Sequence, residues 1–388
     1  MVLNPIEKIE LIHVALPPRR EHKWTGQTEP IGGYMLIKLT DTAGLSGWGE
    51  STALKDWAGE YGRYFGESAG TTRLVVERYL APAVRAVLPS NVVELHARMD
   101  RAIKGYPYAK AAVEIAAYDL AGHQLGLSSH MLLGGALRSR IPISHSLGFM
   151  DFAEGEREAA KAVKEGIRTI KIKVGIDADR DVEMVRRIRD TCGSAIDICI
   201  DANQGYATPG AAIQMFRRIE DCRIKYFEQP VEGIEQMAQV ARAIDAPLMA
   251  DESAWNAHDV IEIVERRAAQ MVSIYTTKPG GLYRAMQVAA VCRASGIVCN
   301  VNGSIETGIG NLANVHLAAA AEPVTVSCVF PVSTPAEAQH GRLAGIYYKD
   351  DLLVEPMRFA DGCIEVPTSP GMGIAPDVEK IRRYTVPS

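Results

Sequence analysis

Residues 169–175 read TIKIKVG, a short apolar run that carries lysines at 171 and 173. Residues two apart on a strand share a face, so Lys171 and Lys173 project together while Ile170, Ile172 and Val174 take the opposite, helix-packed side. Two lysines turned into a protein interior are costly unless they have a purpose. Mutual repulsion and partial burial are expected to lower the pKa of one and leave a free amine that can act as a base.

The same rhythm continues on both sides of this run. Apolar segments at 141–147 (IPISHSL), 169–174, 196–201 (IDICID), 224–228 (IKYFE), 247–251 (PLMAD), 272–277 (VSIYTT), 297–302 (IVCNVN) and 324–330 (VTVSCVF) alternate with helix-length patterns. Examples of the latter are 181–192, 208–221 and 281–296, the second opened by Thr208 as N-cap and Pro209 at the first helical position. Eight strands alternating with helices predict an α/β fold, a TIM-like (β/α)8 barrel. A doubly wound open sheet is the competitor, but no G-x-G-x-x-G follows an early strand.

Charged residues stand at successive strand ends: Lys171 with Lys173, then Asp201, Glu228, Asp251 and Lys278, spaced by 23 to 30 residues. Catalytic groups of such barrels come from the C-terminal ends of several strands. Three carboxylates on one rim repel one another unless a cation lies between them. All-oxygen ligation suits Mg2+ or Mn2+, and no His or Cys lies beside these positions to favour zinc. Lys278 lies about four strands from the lysine pair, which in a barrel is the opposite wall.

The remainder frames this core. The first third reads as α+β, with strands at 6–16 and 33–50, a turn at Asp41–Gly44, and a helix at 109–126 stopped by Gly126. Residues 1–130 are expected to form a capping domain and 131–350 the barrel, with 351–388 a tail of short strands and turns returning to the capping domain. The net charge of −5 gives no basic footprint for a nucleic acid, and no run is long enough to span a membrane. The opening MVLNPIEKIELIHVALP lacks the layout of a secretory leader, and seven scattered cysteines without a C-x-x-C pair read as buried thiols. Cytoplasm is the expected compartment.

In order and spacing, TIKIKVG, DANQG (201–205), FEQP (227–230), ADES (250–253) and KPGG (278–281) resemble the enolase superfamily, and within it the muconate lactonizing enzyme subgroup. The resemblance extends to AKAAVEIAAYDLAG, to LLGG at Leu132–Gly135 and to the closing DGCIEVPTSPGMGI. It implies a modified (β/α)7β barrel and a small-molecule carboxylate substrate, with Mg2+ (or Mn2+) held by Asp201, Glu228 and Asp251 and supported by Asn203 and Glu252. It also implies Lys171 as an electrostatic neutraliser, Lys173 and Lys278 as acid and base on opposite faces, and a homo-oligomer. No histidine falls in 296–304, where the mandelate racemase type would place one. Specificity is expected from capping-loop aromatics Trp24, Trp57 and Tyr61, from Asn302 and Glu306 after the seventh strand, and from His145 after the first. A Mg-dependent isomerase of the muconate cycloisomerase kind is the leading expectation. A racemase or epimerase of an N-acyl or modified amino acid, and a dehydratase or o-succinylbenzoate synthase-like lyase, are the alternatives on the same framework.

Overall fold

The computed structural model describes residues 3–27, 31–52 and 54–386. Strands β1 (Ile6–Ala15), β2 (Gly33–Asp41) and β3 (Ser46–Thr52) form an antiparallel sheet in that order. The hairpin between β2 and β3 is set by Asp41, whose Oδ1 accepts from the N–H groups of Ala43 and Leu45, each at 2.9 Å. Helix Pro107–Leu125 lies on this sheet so closely that a Cβ at Gly49 would come 2.1 Å from the Ala112 carbonyl oxygen. A side chain there would push the helix off the sheet. The helix is buried from Tyr108 to Gly122, between its own sheet and the second domain.

After β4 (Arg140–Pro142), strands β5 (Ser144–Leu147), β6 (Thr169–Lys173), β7 (Asp197–Asp201), β8 (Ile224–Glu228), β9 (Leu248–Ala250), β10 (Met271–Ile274) and β11 (Val298–Val301) follow. β5 to β11 form one parallel sheet in chain order. Residues 324–329 close it into a barrel. On one side Cys299 N–H donates to Pro323 O at 2.8 Å and Val329 N–H to Val301 O at 3.0 Å; on the other Ser144 N–H donates to Cys328 O and Cys328 N–H to Pro142 O, both at 2.8 Å. A loop with a single 3-10 turn, Ala336–Ala338, follows this eighth strand where a helix would complete the repeat, which gives the (β/α)7β form.

Two local expectations change. The run 141–147 divides at Ile143: β4 leaves the barrel to pair with β13 (Cys363–Glu365), itself paired with β12 (Phe359–Ala360), and only β5 enters the barrel. The tail holds a helix as well as strands and turns. Val378–Tyr384 is started by Asp377, which accepts from the N–H groups of Glu379 and Lys380, and it returns the chain to β1 through Val386 N–H to His13 O at 2.8 Å.

Buried carboxylates of the capping domain join the two parts. Glu114 accepts from Leu282 N–H (2.6 Å) and Tyr283 N–H (2.8 Å). Glu50 accepts from Thr307 N–H (2.9 Å) and Gly310 N–H (3.0 Å). Each meets the N-terminus of a barrel helix, Leu282–Ala294 or Gly308–Ala320, where free N–H groups and the positive end of the dipole favour an acid. The capping domain is thereby held over the barrel by backbone groups that need acceptors. All seven cysteines are free, five of them buried. Among the described residues no helix is long and apolar enough to cross a membrane.

Candidate active site

Register brings the charged strand ends together. Lys173 pairs laterally with Asp201 across β6 and β7, and Asp201 with Glu228 across β7 and β8. Lys171 and Lys173 share the inner face, and their ammonium groups reach the acids directly. Lys171 Nζ donates to Glu228 Oε1 at 2.7 Å and lies 2.9 Å from Asp201 Oδ2. Lys173 Nζ donates to Asp201 Oδ2 at 2.6 Å and to Asn203 Oδ1. Burial works to lower the pKa of Lys171, but Asp201, Glu228 and Asp251 outweigh it and hold the ammonium well above its usual range. The expected depression therefore does not fall on Lys171, because counter-charges surround it more closely than its fellow lysine does.

Lys278 occupies the far wall beyond β10. Its Nζ donates to Asp251 Oδ1 (2.8 Å), Asp251 O (2.9 Å) and Ser273 O (2.9 Å), and it sits 4.3 Å from the centroid of the Tyr275 ring. Glu228 Oε1 also accepts from Asn302 Nδ2 at 3.0 Å, and Glu252 Oε1 accepts from Asn203 Nδ2 (2.8 Å) and Trp57 Nε1 (3.1 Å). Trp57 stacks on Trp255 and meets the Tyr275 ring at a tilt, with centroids 5.3 and 5.2 Å apart, so the capping loop and the barrel rim share one aromatic cluster.

Above these groups lies a cavity lined by Trp24, Trp57, Lys171, Lys173, Asn203 and Asn302 among others. Three expected members stand elsewhere. Tyr61 is 67% exposed on the surface, where its backbone N–H donates to Glu232, so the aromatic character of its loop does not bring it to the cavity. His145 is buried and bonded through Nε2 to Glu158 Oε1 at 2.9 Å. Glu306 is buried beside the cavity wall formed by Gly303, Ser304 and Ile305, and among the described residues neither of its oxygens meets a donor in good hydrogen-bond geometry, although Asn314 and the Ser304 backbone lie near.

The N-terminal domain of mandelate racemase / muconate lactonizing enzyme matches residues 8–134, and the enolase C-terminal domain-like family matches residues 154–381. The chain belongs to the mandelate racemase / muconate lactonizing enzyme family of the enolase superfamily. It is similar to muconate cycloisomerase 1 of Rhodococcus opacus, 30% identical over 98% of both chains. It is also similar to the N-succinyl-L-Arg/Lys racemase of Bacillus cereus, 31% identical over 82% of this chain and 85% of the relative. The dipeptide epimerase of Enterococcus faecalis V583, solved with Mg and the dipeptide L-Leu-L-Tyr, superposes with a TM-score of 0.85 at 26% identity over 96% of this chain and 99% of the other. All three relatives are isomerases.

The oxygens of this family member suit a divalent cation. Glu228 Oε2 and Glu252 Oε2 are buried with no hydrogen-bond partner among the described residues. Burial, then the neighbouring Asp201 and Asp251, push Glu228 well above the usual carboxylate range, a sign of positive charge in deficit. As the side chains stand, no three His, Cys, Asp or Glu groups among the described residues converge on one point, and lysine ammoniums take oxygens of Asp201 and Glu228. The donor set is all oxygen, which fits Mg2+ or Mn2+.

Several residues that line or brace this cavity carry little signal in the sequence. Gln229, which follows Glu228 with φ +35°, uses Oε1 to accept the backbone N–H of Asp251 (2.9 Å) and so places the third acid. Its only signal is its place beside a strand-end acid. Tyr275, His22, Ser146 and Tyr347 all line the cavity. Tyr275 follows a strand end, and the other three become legible only through contacts distant in sequence.

Proposed function

We propose that this enzyme isomerises a carboxylate substrate by moving a proton at the carbon alpha to that carboxylate, with Lys173 as the single acid–base group, in the manner of a cycloisomerase. The observation that carries this reading is the inequality of the two lysine walls. Lys173 lines the cavity with two side-chain oxygens on its Nζ, whereas the Lys278 ammonium is engaged by three oxygens, two of them backbone carbonyls.

A Mg2+ ion held by Asp201, Glu228 and Asp251 would supply Lewis-acid stabilisation of the negative charge that develops on the substrate carboxylate. Lys171 adds a fixed positive charge between two of those acids. Lys173 Nζ donates to two oxygens, of Asp201 and Asn203, which hold it at the cavity; its ammonium is the form that delivers a proton. In ring closure, an internal carboxylate oxygen adds to the carbon beta to the bound carboxylate. The displaced electron pair moves toward that carboxylate, and Lys173 protonates the alpha carbon. Ring opening runs the steps backwards, with Lys173 as the amine that takes the proton. Lys278 holds Asp251 in place and contributes charge.

The test is alpha-proton exchange in heavy water, followed by NMR over a set of carboxylates with Mg2+ present. The wild type should exchange one class of substrate and Lys173→Ala none. Exchange that survives in Lys173→Ala would overturn the assignment.

A further inference from the structure

The loop from Leu16 to Gln27 crosses the barrel mouth and is stapled there by its backbone. Arg19 N–H donates to Tyr347 O at 2.7 Å, Phe149 N–H to Lys23 O at 2.9 Å and Lys349 N–H to Pro17 O at 3.0 Å. Side chains add a second anchor. Arg20 donates to Glu158 through Nε (3.0 Å) and Nη2 (2.6 Å), and Arg19 Nη2 reaches the same carboxylate at 3.1 Å. His145 completes the cluster: its Nδ1 accepts Gly345 N–H at 3.1 Å, which leaves Nε2–H to donate to Glu158.

This anchor fixes the state of another histidine. Arg20 Nη1 lies 3.1 Å from His22 Nδ1. A guanidinium has only donors, so Nδ1 of His22 must accept. The ring is then neutral and its one proton sits on Nε2. Burial first, then Arg20, Lys173 and His145, push the His22 pKa well below its usual value, and Glu158 offsets them only in part. The ring is held edge-on by Tyr347, with centroids 4.9 Å apart. Among the described residues Nε2 has no hydrogen-bond partner, and His22 is part of the cavity wall beside Lys173. The free N–H is therefore reachable from the cavity.

We infer that His22 is a specificity-determining donor that gives its Nε2–H to an uncharged carbonyl oxygen of the substrate, a lactone or amide carbonyl close to the reacting carbon. This inference rests on the proposed enolising reaction and names its substrate class. The cations of the cavity wall, Lys171 and Lys173, are both committed to the carboxylate cluster. A charge-free donor with a fixed tautomer matches an acyl oxygen that is neutral in the lactone, and it leaves the ring-closing oxygen free of a cation that would quench its nucleophilicity.

The experiment uses two matched pairs of probes. A carboxymethyl gamma-lactone is compared with its carbonyl-free cyclic ether, and an N-acyl amino acid with a carbonyl-free alkyl carboxylate of the same length. Alpha-proton exchange is measured for wild type, His22→Phe and His22→Gln. His22→Phe keeps a ring for Tyr347 to hold but removes the donor; His22→Gln restores an N–H. In the carbonyl member of one pair, His22→Phe should raise KM about tenfold or more with a smaller change in kcat, and His22→Gln should recover most of it. The pair that responds identifies the lactone or the amide. Equal KM in wild type and His22→Phe, or an equal rise for carbonyl and carbonyl-free probes in a normally folded variant, overturns the inference while the exchange itself still stands. Absence of exchange in the wild type for every probe would instead remove the underlying reaction.

Discussion

Lys171 and Lys173 meet the same atom, Oδ2 of Asp201, at 2.9 and 2.6 Å. One buried oxygen thus faces two ammonium groups, and Asp201 is held well below the usual carboxylate range: burial opposes this, and the two lysines overcome it. Asp201→Asn leaves two positive charges without that partner. The variant is expected to lose about 3–5 kcal/mol of stability, read by urea unfolding without added metal. Its deficit should shrink at acid pH. A group with a depressed folded pKa stabilises above its unfolded pKa and loses that contribution as pH falls through the folded value. Unchanged unfolding at neutral pH would mean that the lysines have other counter-charges.

Chelation should abolish alpha-proton exchange, and added Mg2+ or Mn2+ should restore it. Glu228→Gln should fold, because Lys171 keeps Asp201 as a partner, yet should bind Mg2+ more weakly in calorimetry. Full exchange after exhaustive chelation would remove the cation from the scheme.

Glu306 is buried, and burial pushes its pKa up to about 7 against the weaker pull of the Ser304 backbone and Asn314. Between the unfolded value near 4.3 and about 7 the native state therefore binds more protons than the unfolded state. The sign follows: this carboxyl costs stability progressively as pH rises through that window, by an amount on the order of a few kcal/mol. Glu306→Gln should be more stable than wild type at pH 8, with the two converging near pH 4.5. Thermal unfolding across pH checks this, and parallel curves would show that the acid ionises freely.

The barrel and its charged rim were legible because they are written locally. Alternation at 169–174 gives a strand face, and the acids at 201, 228 and 251 each end an apolar run. Closure of the barrel by 324–329 followed from counting strands. The capping loops carried no such code. Trp57 reaches Glu252, 195 positions away, while Tyr61, four residues on, faces solvent. The role of His22 depends on Arg20, whose own anchor is Glu158, 138 residues distant. The helix Val378–Tyr384 is seven residues long, too short for apolar periodicity to mark it off from a turn.

Arg20→Met tests what fixes the tautomer. In the wild type His22 is neutral with its proton on Nε2, so KM for the responding carbonyl substrate should be flat between pH 6 and 8. Without the guanidinium, the neutral ring can carry its proton on either nitrogen and loses part of its donor capacity. Burial and Lys173 still hold its pKa below the usual value, so the ring stays neutral and KM of the variant should be higher than that of wild type and equally flat with pH. An equal rise for the carbonyl-free probe would mean that Arg20 acts only by holding the loop.

The last prediction separates one-lysine from two-lysine chemistry. If Lys173 alone moves the proton, Lys278 serves through its charge and its hold on Asp251. Lys278→Arg keeps that charge, although its planar fork cannot copy three bonds from a single nitrogen. It should retain measurable turnover, whereas Lys173→Ala should fall by 10²–10⁴ or more, the usual worth of a general acid–base group. If the enzyme instead epimerises its substrate, each lysine must serve one face. Then Lys278→Arg would be inactive in turnover and yet exchange the alpha proton of one enantiomer. Chiral NMR analysis of exchange in both enantiomers decides between them. One-sided exchange in a dead Lys278→Arg variant would require Lys278 to leave its three oxygen partners during catalysis, and the epimerase reading would then replace the cycloisomerase one.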